Sequence, residues 1–263
     1  MTARSGSIPS MSDLVAVDRS PHLPVADRVA LDEDVPSIED LFLFAREAEL
    51  RVRTLRMTIE ERSMTARGEE LLRHEIQLQH PGKARVTTRR GDEDSLSDYD
   101  VWLLDGDTVT IYRPASKAAS RRPRQGAVVG VGDPDLPAWA RQREPLTALP
   151  SGSLADAFVH PHGLFRNVLV TGPLAVVGTQ SVAGREAIVV RSEHPRAAEV
   201  LVDRPDRSLV VGIGRETGFL LLLIERIGRS VTRYAQVTDL QLDPVIAPSA
   251  FELHLAADVR KLY

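Results

Sequence analysis

The sequence predicts an α+β fold built on a strongly curved antiparallel sheet, an unclosed half-barrel of about ten strands, with helices covering its concave face. Turn signals recur at hairpin spacing along most of the chain, and helical periodicity is confined to one leading segment and one central pair. Residues 207–242 (RSLVVGIGRETGFLLLLIERIGRSVTRYAQVTDLQL) have the pattern of three consecutive apolar strands separated by short turns. A curved sheet of this size leaves a hollow that helices, side chains or a ligand must fill.

The composition is that of an ordinary globular protein. The 263 residues are 43% hydrophobic and 27% charged, with a formal net charge of −4. This charge argues against nucleic acid or an anionic membrane surface as a partner. Cysteine is absent, which excludes disulfides, thiolate zinc sites and cysteine nucleophiles.

We divide the chain into a flexible N-terminal arm (1–36), one half-barrel domain (37–253) and a C-terminal tail (254–263). The arm mixes Ser, Pro and Asp with short apolar pieces and has no sustained period. The longest apolar run, Phe219–Ile224, is far shorter than the roughly 20 residues of a membrane-spanning helix. The arm also lacks the apolar centre of a secretory signal. We therefore expect no transmembrane segment and a cytoplasmic location.

Two segments have helical signatures. Ser37–Leu50 begins with a capping residue, Ser37, and an acidic residue follows at the third helical position. Ser151–Val168 is predicted to form two short helical pieces that Pro161 separates, and Ser153 caps the first piece. The apolar residues of the leading helix share one stripe at helical spacing: Ile38, Leu41, Phe42, Ala45 and Ala48. We expect this stripe to lie against the sheet.

The remaining periodicity is that of strands. Arg51–Arg62 alternates with period two and places Leu55, Met57 and Ile59 on one face. Asp105-Gly106-Asp107 is a strong hairpin signal between two alternating segments. Further strands are predicted at Glu69–His80, Lys83–Arg90, Tyr99–Leu104, Thr108–Tyr112, Ala115–Arg122, Leu174–Val182, Arg185–Ser192, Ala198–Val202 and three times within 207–242.

The segment Gln125–Pro150 is rich in glycine, proline and charge. It does not match a phosphate-binding loop, because no GK[ST] ending is present and prolines block the helix that should follow. We interpret it as a flexible loop. The alternative is a lid over a groove, formed around Trp139.

The best enzymatic constellation is Asp156 followed by His160 and His162, residue types that bind zinc or iron. Asp156 and His160 can share a helix face, but Pro161 then turns the chain and no fourth ligand follows by spacing. A helix-ending turn explains this pattern better. No Gly-x-Ser-x-Gly sequence is present, and neighbouring acidic residues point to opposite faces of strands. We therefore expect no enzymatic activity, no catalytic residue, no metal site and no cofactor.

Basic residues gather on two predicted strands. They could face phosphates or an acidic partner. A solvated edge strand, protected by its charge from aggregation, is the simpler interpretation. The residues are Lys83, Arg85, Arg89 and Arg90 on one strand and Arg121 and Arg122 on the other, with Arg124 just beyond its end.

The main candidate for a function is the apolar hollow itself. Either its side chains form a closed core or they line a binding cavity, and the residues alone favour neither. The candidate lining residues are Met57, Ile59, Leu78, Trp102, Phe158, Phe165, Phe219, Leu221 and Leu223.

Four short motifs occur along the chain in a characteristic order: HPGKARVTT at 80–88, DGDTVTIYRP at 105–114, GRETGF at 214–219 and LDPVIAPSAF at 242–251. With the order of elements, they resemble the LolA/LolB lipoprotein-carrier superfamily and the periplasmic sigma-E regulator RseB, in particular actinobacterial LolA-like proteins of unassigned role. The similarity covers about Ser37–Leu253. The chain departs from the family pattern at His80, where the family has Arg, and at Gly214, where an acidic residue is expected. A secretory leader and a lipobox cysteine are also missing.

The resemblance implies an unclosed barrel with a helical lid, formed here by Ser37–Leu50 and Ser153–Val168, over an apolar cavity. It implies a non-enzymatic binding protein that holds an acyl chain, a lipid or another apolar ligand. The alternative is a regulatory module like RseB, whose sheet or arm contacts another protein.

One feature of the apolar strand at 219–226 points to a further contact. Alternate residues of a strand face opposite sides, so Leu220, Leu222 and Ile224 form a second apolar face. We expect the N-terminal arm or a second copy of the chain, in a homodimer, to cover this face.

Overall fold

The computed structural model describes residues 31, 35–91, 98–124, 145–161, 174–193 and 206–262. Within these ranges, two α-helices and three 3-10 turns accompany a single sheet of twelve strands. The helices are α1 (Ile38–Arg46) and α2 (Leu154–Val159), and the 3-10 turns are Ala48–Arg51, Pro114–Ser116 and Pro248–Phe251. The strands are β1 (Thr54–Thr65), β2 (Gly68–Gln79), β3 (Lys83–Arg90), β4 (Tyr99–Asp105), β5 (Thr108–Arg113), β6 (Ala118–Pro123), β7 (Leu174–Val182), β8 (Arg185–Glu193), β9 (Arg207–Gly214), β10 (Leu220–Ile227), β11 (Ser230–Leu242) and β12 (Arg260–Leu262).

The sheet is unclosed, as the sequence predicts. Its strand order is β12-β6-β5-β4-β3-β2-β1-β11-β10-β9-β8-β7, so consecutive hairpins run outward from the central β1–β11 pair to two separate edges. The count of about ten strands was too low. The predicted C-terminal tail contributes β12, which pairs with β6 in parallel and joins Lys261 to Ala119 in register. The predicted strand Ala198–Val202 lies outside the described residues.

Two-residue turns connect several neighbouring strands. Asp105 pairs with Thr108, which confirms the hairpin predicted from the Asp-Gly dipeptide. Val182 pairs with Arg185 across Ala183-Gly184, and both turn residues have positive φ (50° and 72°). Such turns match the right-handed twist of the strands that they join.

Register shifts explain the curvature of one half of the sheet. They occur in the β1–β11, β10–β11, β9–β10 and β7–β8 ladders. Bulges of this kind bend a strand and increase its twist. The β7–β8 hairpin consequently returns to β11, where a guanidinium nitrogen of Arg185 donates to the carbonyl of Leu240 at 3.4 Å.

One side of the sheet, which we call the inner face, carries most of the core. Directly paired residues of an antiparallel ladder project to the same side. Met57 pairs with Ile76, and Ile59 pairs with His74, so β1 and β2 present these four side chains together. All four are less than 9% exposed.

Both α-helices contribute buried residues to the same apolar cluster as the inner face. Leu41 and Phe42 of α1 and Phe158 of α2 are at most 2% exposed. The predicted caps are confirmed: the hydroxyls of Ser37 and Ser153 each accept a hydrogen bond at 3.1 Å from the backbone N–H three residues later. The leading helix is shorter than predicted, because a 3-10 turn replaces its last turn.

Gly218 allows α1 to approach the β9–β10 turn closely. Its φ is +77°, and an added Cβ would lie 2.8 Å from the carbonyl oxygen of Phe44 and 3.2 Å from Cα of Ala45. A side chain at this position would push the helix away from the turn.

The second apolar face of β10 is more closed than strict alternation predicts. Leu220 and Leu222 are fully buried, while Ile224 is half-buried. The register shift between Leu220 and Leu222 breaks the alternation. Leu222 pairs with Gly212 of β9, where an added Cβ would lie only 3.0 Å from Cβ of Leu222. A homodimer contact on this face stays a prediction. Among the described residues, no helix is both long and apolar enough to cross a membrane.

Candidate ligand-binding site

Eight of the nine predicted lining residues lie in the described part of the chain, and all eight belong to or pack against one apolar cluster. Phe158 lies in α2, Phe219 lies just before β10, and the other six lie on strands that carry the inner face. Seven of them are at most 4% exposed and belong to one apolar cluster: Met57, Ile59, Leu78, Phe158, Phe219, Leu221 and Leu223. Protein atoms already surround these seven, so their role as ligand contacts stays a prediction. Phe165 lies outside the described residues.

Trp102 differs from the other lining residues because it is only half-buried. It pairs with Val86 of β3 and with Ile111 of β5, which places it on the inner face. Ile111 is half-buried too. At the other end of the sheet, Leu174 and Val176 of β7 are half-buried residues that also pack against the main cluster. The inner face therefore keeps partly exposed apolar surface at both of its walls.

A buried ion pair interrupts the apolar inner face between these walls. Glu61 follows Ile59 at the alternate position of β1, and it is 5% exposed. Its carboxylate lies 3.0 Å from Nε2 of His74 and 3.0 Å from Nε of Arg233. Nδ1 of His74 lies 3.0 Å from the hydroxyl of Thr88. Burial alone raises the pKa of Glu61, but the His74 hydrogen bond and the Arg233 charge outweigh it, so the pKa is lowered.

Further charges continue this polar region across β9 and β10. Arg207 of β9 forms an ion pair through Nη2 with Glu225 of β10. Glu225 pairs in register with Arg233 and with Leu209. Ser192 of β8 pairs with Leu209 on the same face and is only 1% exposed. The inner face is thus apolar where the helices pack and polar where these strands continue.

A second buried network joins the helical segments to each other. His160, which ends α2, lies between two carboxylates: its Nδ1 is 2.9 Å from Asp156, and its Nε2 is 3.4 Å from Glu49. Glu49 is 3% exposed and accepts a hydrogen bond from the backbone N–H of Leu146 at 2.9 Å. Burial lowers the pKa of His160, but the two carboxylates together raise it to about 9. At neutral pH this imidazole is therefore a cation that holds two helical segments together.

His80 lies beside this network, and its pKa shifts in the opposite direction to that of His160. Its Nδ1 is 2.8 Å from the hydroxyl of Thr147, which also accepts the backbone N–H of Gly82 at 2.8 Å. Burial lowers the pKa of His80 to about 4, and the charge of His160 adds to this effect. The hydrogen bonds of Thr147 to His80 and Gly82 fix the turn between β2 and β3 to the segment before α2.

The Asp156–His160 pair serves structure in the described part of the chain. The two residues share a helix face, as their spacing predicts, and His160 ends the helix. The third residue in this cluster is Glu49, whose carboxylate lies 3.4 Å from Nε2 of His160. No group of three or more His, Asp or Glu side chains within the described ranges is arranged to hold a metal ion. His162 lies outside these ranges.

The basic strand β3 is neither an edge nor a free cationic patch. It lies between β2 and β4. Arg85 donates to the backbone carbonyls of Ala250 and Glu252, and Arg90 lies 3.0 Å from Asp100. The expectation of an edge strand was wrong for β3, because β4 and β5 continue the sheet beyond it. On the other strand, the parallel contact with β12 covers the edge of β6.

Sequence reasoning missed the most informative polar residues. Glu61 follows the inward apolar residues Met57 and Ile59 at an alternate position of β1, and His74 precedes the inward Ile76 and Leu78 of β2, which is a detectable signal. Ser192 stands in the same way at the end of an apolar strand. The Glu49 contact could not be found in this manner, since it depends on how the helical segments pack.

No family model matches the chain, and no curated protein matches it. Solved structures with a similar chain path include the complex of Pseudomonas aeruginosa MucA and MucB (16% identity, TM-score 0.45, covering 82% of this chain and 60% of that one). An uncharacterized conserved protein from Thermus thermophilus matches at 10% identity and TM-score 0.47, covering 86% of this chain and 99% of that one. The LolA superfamily protein NE2245 from Nitrosomonas europaea matches at 8% identity and TM-score 0.33, covering 83% and 98%.

This chain thus spans about 60% of the length of the MucB structures that it matches. A member of the LolA superfamily is among the matches, as the sequence resemblance predicts.

Proposed function

We propose that this protein is a non-enzymatic binding protein that holds an acyl chain, a lipid or another apolar ligand on the inner face of its half-barrel. Helices α1 and α2 cover one end of that face, and the ligand occupies the remainder. The observation that carries this proposal is the partly exposed apolar surface at the two walls, formed by Trp102 and Ile111 on one side and by Leu174 and Val176 on the other.

Half-buried apolar side chains that face the inside of a curved sheet need an explanation. On the same face, Ile76 and Leu78 are at most 1% exposed, whereas the wall residues keep part of their apolar surface open. Apolar clefts with a few placed polar groups are the usual form of small-molecule sites. The polar region around Glu61 supplies such groups beside the apolar walls.

The same polar groups support binding rather than catalysis. The Glu61 carboxylate is held by His74 and Arg233, and the Glu225 carboxylate is held by Arg207. A general base must be free to take a proton from a substrate. Carboxylates held in ion pairs fix the geometry of the face instead.

The test uses Trp102 as a reporter. In a Trp139→Phe background, Trp102 is the remaining tryptophan of the chain, and bromine atoms of a bound ligand quench its fluorescence on contact. We expect saturable quenching by bromododecane. Ile111→Asp should weaken this binding at least 10-fold, because a carboxylate placed against an alkyl chain is strongly disfavoured.

Thr110→Asp is the matched control. Thr110 precedes Ile111 in β5 and therefore faces the other side of the sheet, so its variant should bind like the parent. Val176→Asp repeats the test from the opposite wall, and urea unfolding verifies that each variant is folded. The absence of saturable quenching in the parent protein would overturn the proposal, as would equal effects of the Ile111 and Thr110 variants.

A further inference from the structure

Ser192 is buried at a position where its hydroxyl finds no hydrogen-bond partner among the described residues. It is 1% exposed, and its Oγ makes no hydrogen bond with any residue that the structure describes. A buried polar group without a partner is destabilising and uncommon in folded proteins. An alanine would fill the same place without this cost, so the hydroxyl points to a partner outside the described residues.

A second unused donor lies next to it. Arg207 uses Nη2 for its ion pair with Glu225, but its buried Nε has no acceptor within the described residues. Ser192 pairs with Leu209, which is two residues from Arg207 on β9. Ser192 and Arg207 are therefore diagonal neighbours on the same face, at the spacing of roughly 7–8 Å that such positions have.

The chemistry of these two groups identifies the atom that they would bind. Arginine can only donate hydrogen bonds, and a serine hydroxyl can donate as well. Both donors together fit an acceptor oxygen. We propose that Ser192 and Arg207 form a subsite for the carbonyl oxygen of an acyl ligand, which rests on the proposed function and names the polar end of the molecule that it binds.

The local charge favours a neutral carbonyl over a phosphate. Arg207 is balanced by Glu225, and Arg233 is balanced by Glu61. Two cations and two carboxylates leave this part of the face without net charge, so it offers no excess attraction to a dianion. Two directed N–H and O–H donors suit an ester or carboxylic acid group.

The apolar residues of β7 beside Ser192 indicate where the acyl chain of the ligand would lie. Leu174 pairs with Ser192 on its other side and is half-buried. Val176 continues this apolar edge. An acyl chain that begins at the subsite would therefore follow the apolar wall of β7 toward the helical end of the inner face.

The experiment compares two ligands of equal chain length, methyl bromododecanoate and bromododecane, by quenching of Trp102. Ser192→Ala should weaken binding of the ester about 2- to 12-fold, the range of one hydrogen bond, and leave binding of the alkane unchanged. Arg207→Lys keeps the positive charge but removes Nε, and it should have the same selective effect. Ser181→Ala, at an exposed position of β7, is the matched control and should change neither ligand.

The alkane separates the two proposals. If bromododecane binds but Ser192→Ala weakens both ligands equally, or neither, the carbonyl subsite is wrong while the binding function stands. If neither ligand quenches the parent protein, the proposed function fails. A free bromododecanoic acid arm distinguishes a carboxylic acid from an ester as the natural head group. The melting temperature of ligand-free Ser192→Ala should stay level or rise, which separates loss of a contact from loss of the fold.

Discussion

The stability of the helical end of the molecule should depend on the protonation of His80. The pKa of this side chain falls from 6.5 to about 4 on folding, mainly because the ring is buried. A histidine with a lowered folded-state pKa binds fewer protons when folded than when unfolded. Stability is therefore lost as the pH falls from about 6.5 toward 4, and it is fully present above that window.

The size of the effect follows from the two pKa values. At pH 5 the unfolded side chain is almost entirely protonated, whereas the folded one is about one-tenth protonated. The linkage relation then removes about 2 kcal/mol of unfolding free energy between pH 7 and pH 5. The direction has a structural reason, since the ring is buried and burial disfavours its charged form.

His80→Asn tests this linkage. The asparagine amide oxygen can still accept the Thr147 hydroxyl, but the side chain does not titrate. Urea unfolding at pH 7 and pH 5 should show that the wild type loses about 2 kcal/mol more than the variant. His254→Asn is the matched control, because His254 is 88% exposed and its replacement should leave the wild-type loss unchanged.

Acid also protonates carboxylates; the contribution of Glu61 is common to all three proteins, whereas the pKa of Glu49 also responds to the charge of His80. The pKa values of Glu49 and Glu61 are lowered in the fold, so both groups contribute stability that is lost as the pH falls below their unfolded value near 4.5. The comparison between variants removes the shared loss from Glu61. Equal losses in the wild type and in His80→Asn would refute the assignment of the linkage to His80.

Two further predictions concern the polar inner face and the C-terminal strand. Glu61→Gln should lower the unfolding free energy by about 1.5–3 kcal/mol, the range for hydrogen bonds to charged groups. Glu60→Gln, on the opposite face, should change it by no more than about 0.5 kcal/mol. A similar urea midpoint for both variants would contradict the buried ion pair. Lys261→Pro should break the parallel pairing with Ala119 and expose the edge of β6. We expect faster aggregation in light scattering, with an unchanged far-UV circular dichroism spectrum. Aggregation at the parental rate would contradict the protective role of β12.

Local chemistry predicted the parts of this fold that depend on neighbouring residues. The hairpin at Asp105 and the helix caps at Ser37 and Ser153 follow from turn and capping preferences that act over two or three residues. The strand β12 follows from no such rule. It contains three residues, two of them charged, and its partner β6 lies far earlier in the sequence.

The candidate site divides in the same way. Alternation along β1 placed Met57 and Ile59 on one face, and the structure confirms this arrangement. The same alternation carries Glu61 to that face, but only three-dimensional packing shows that its partners are His74 and Arg233. Pairing between strands that are distant in the sequence determines such a contact, so a single sequence cannot supply it.

The polar inner residues give the strongest reason to regard this face as more than a core. Replacing a buried ion pair by well-packed apolar side chains is often neutral or stabilising, and a buried hydroxyl without a partner is a direct loss. Glu61 and Ser192 both occupy inward positions where an apolar residue would satisfy the fold. The cost of keeping Ser192 is explained if a ligand, rather than the chain, completes its hydrogen bond. A single substitution that stabilises the empty protein and weakens its complex with an acyl ester would have no explanation in terms of packing alone.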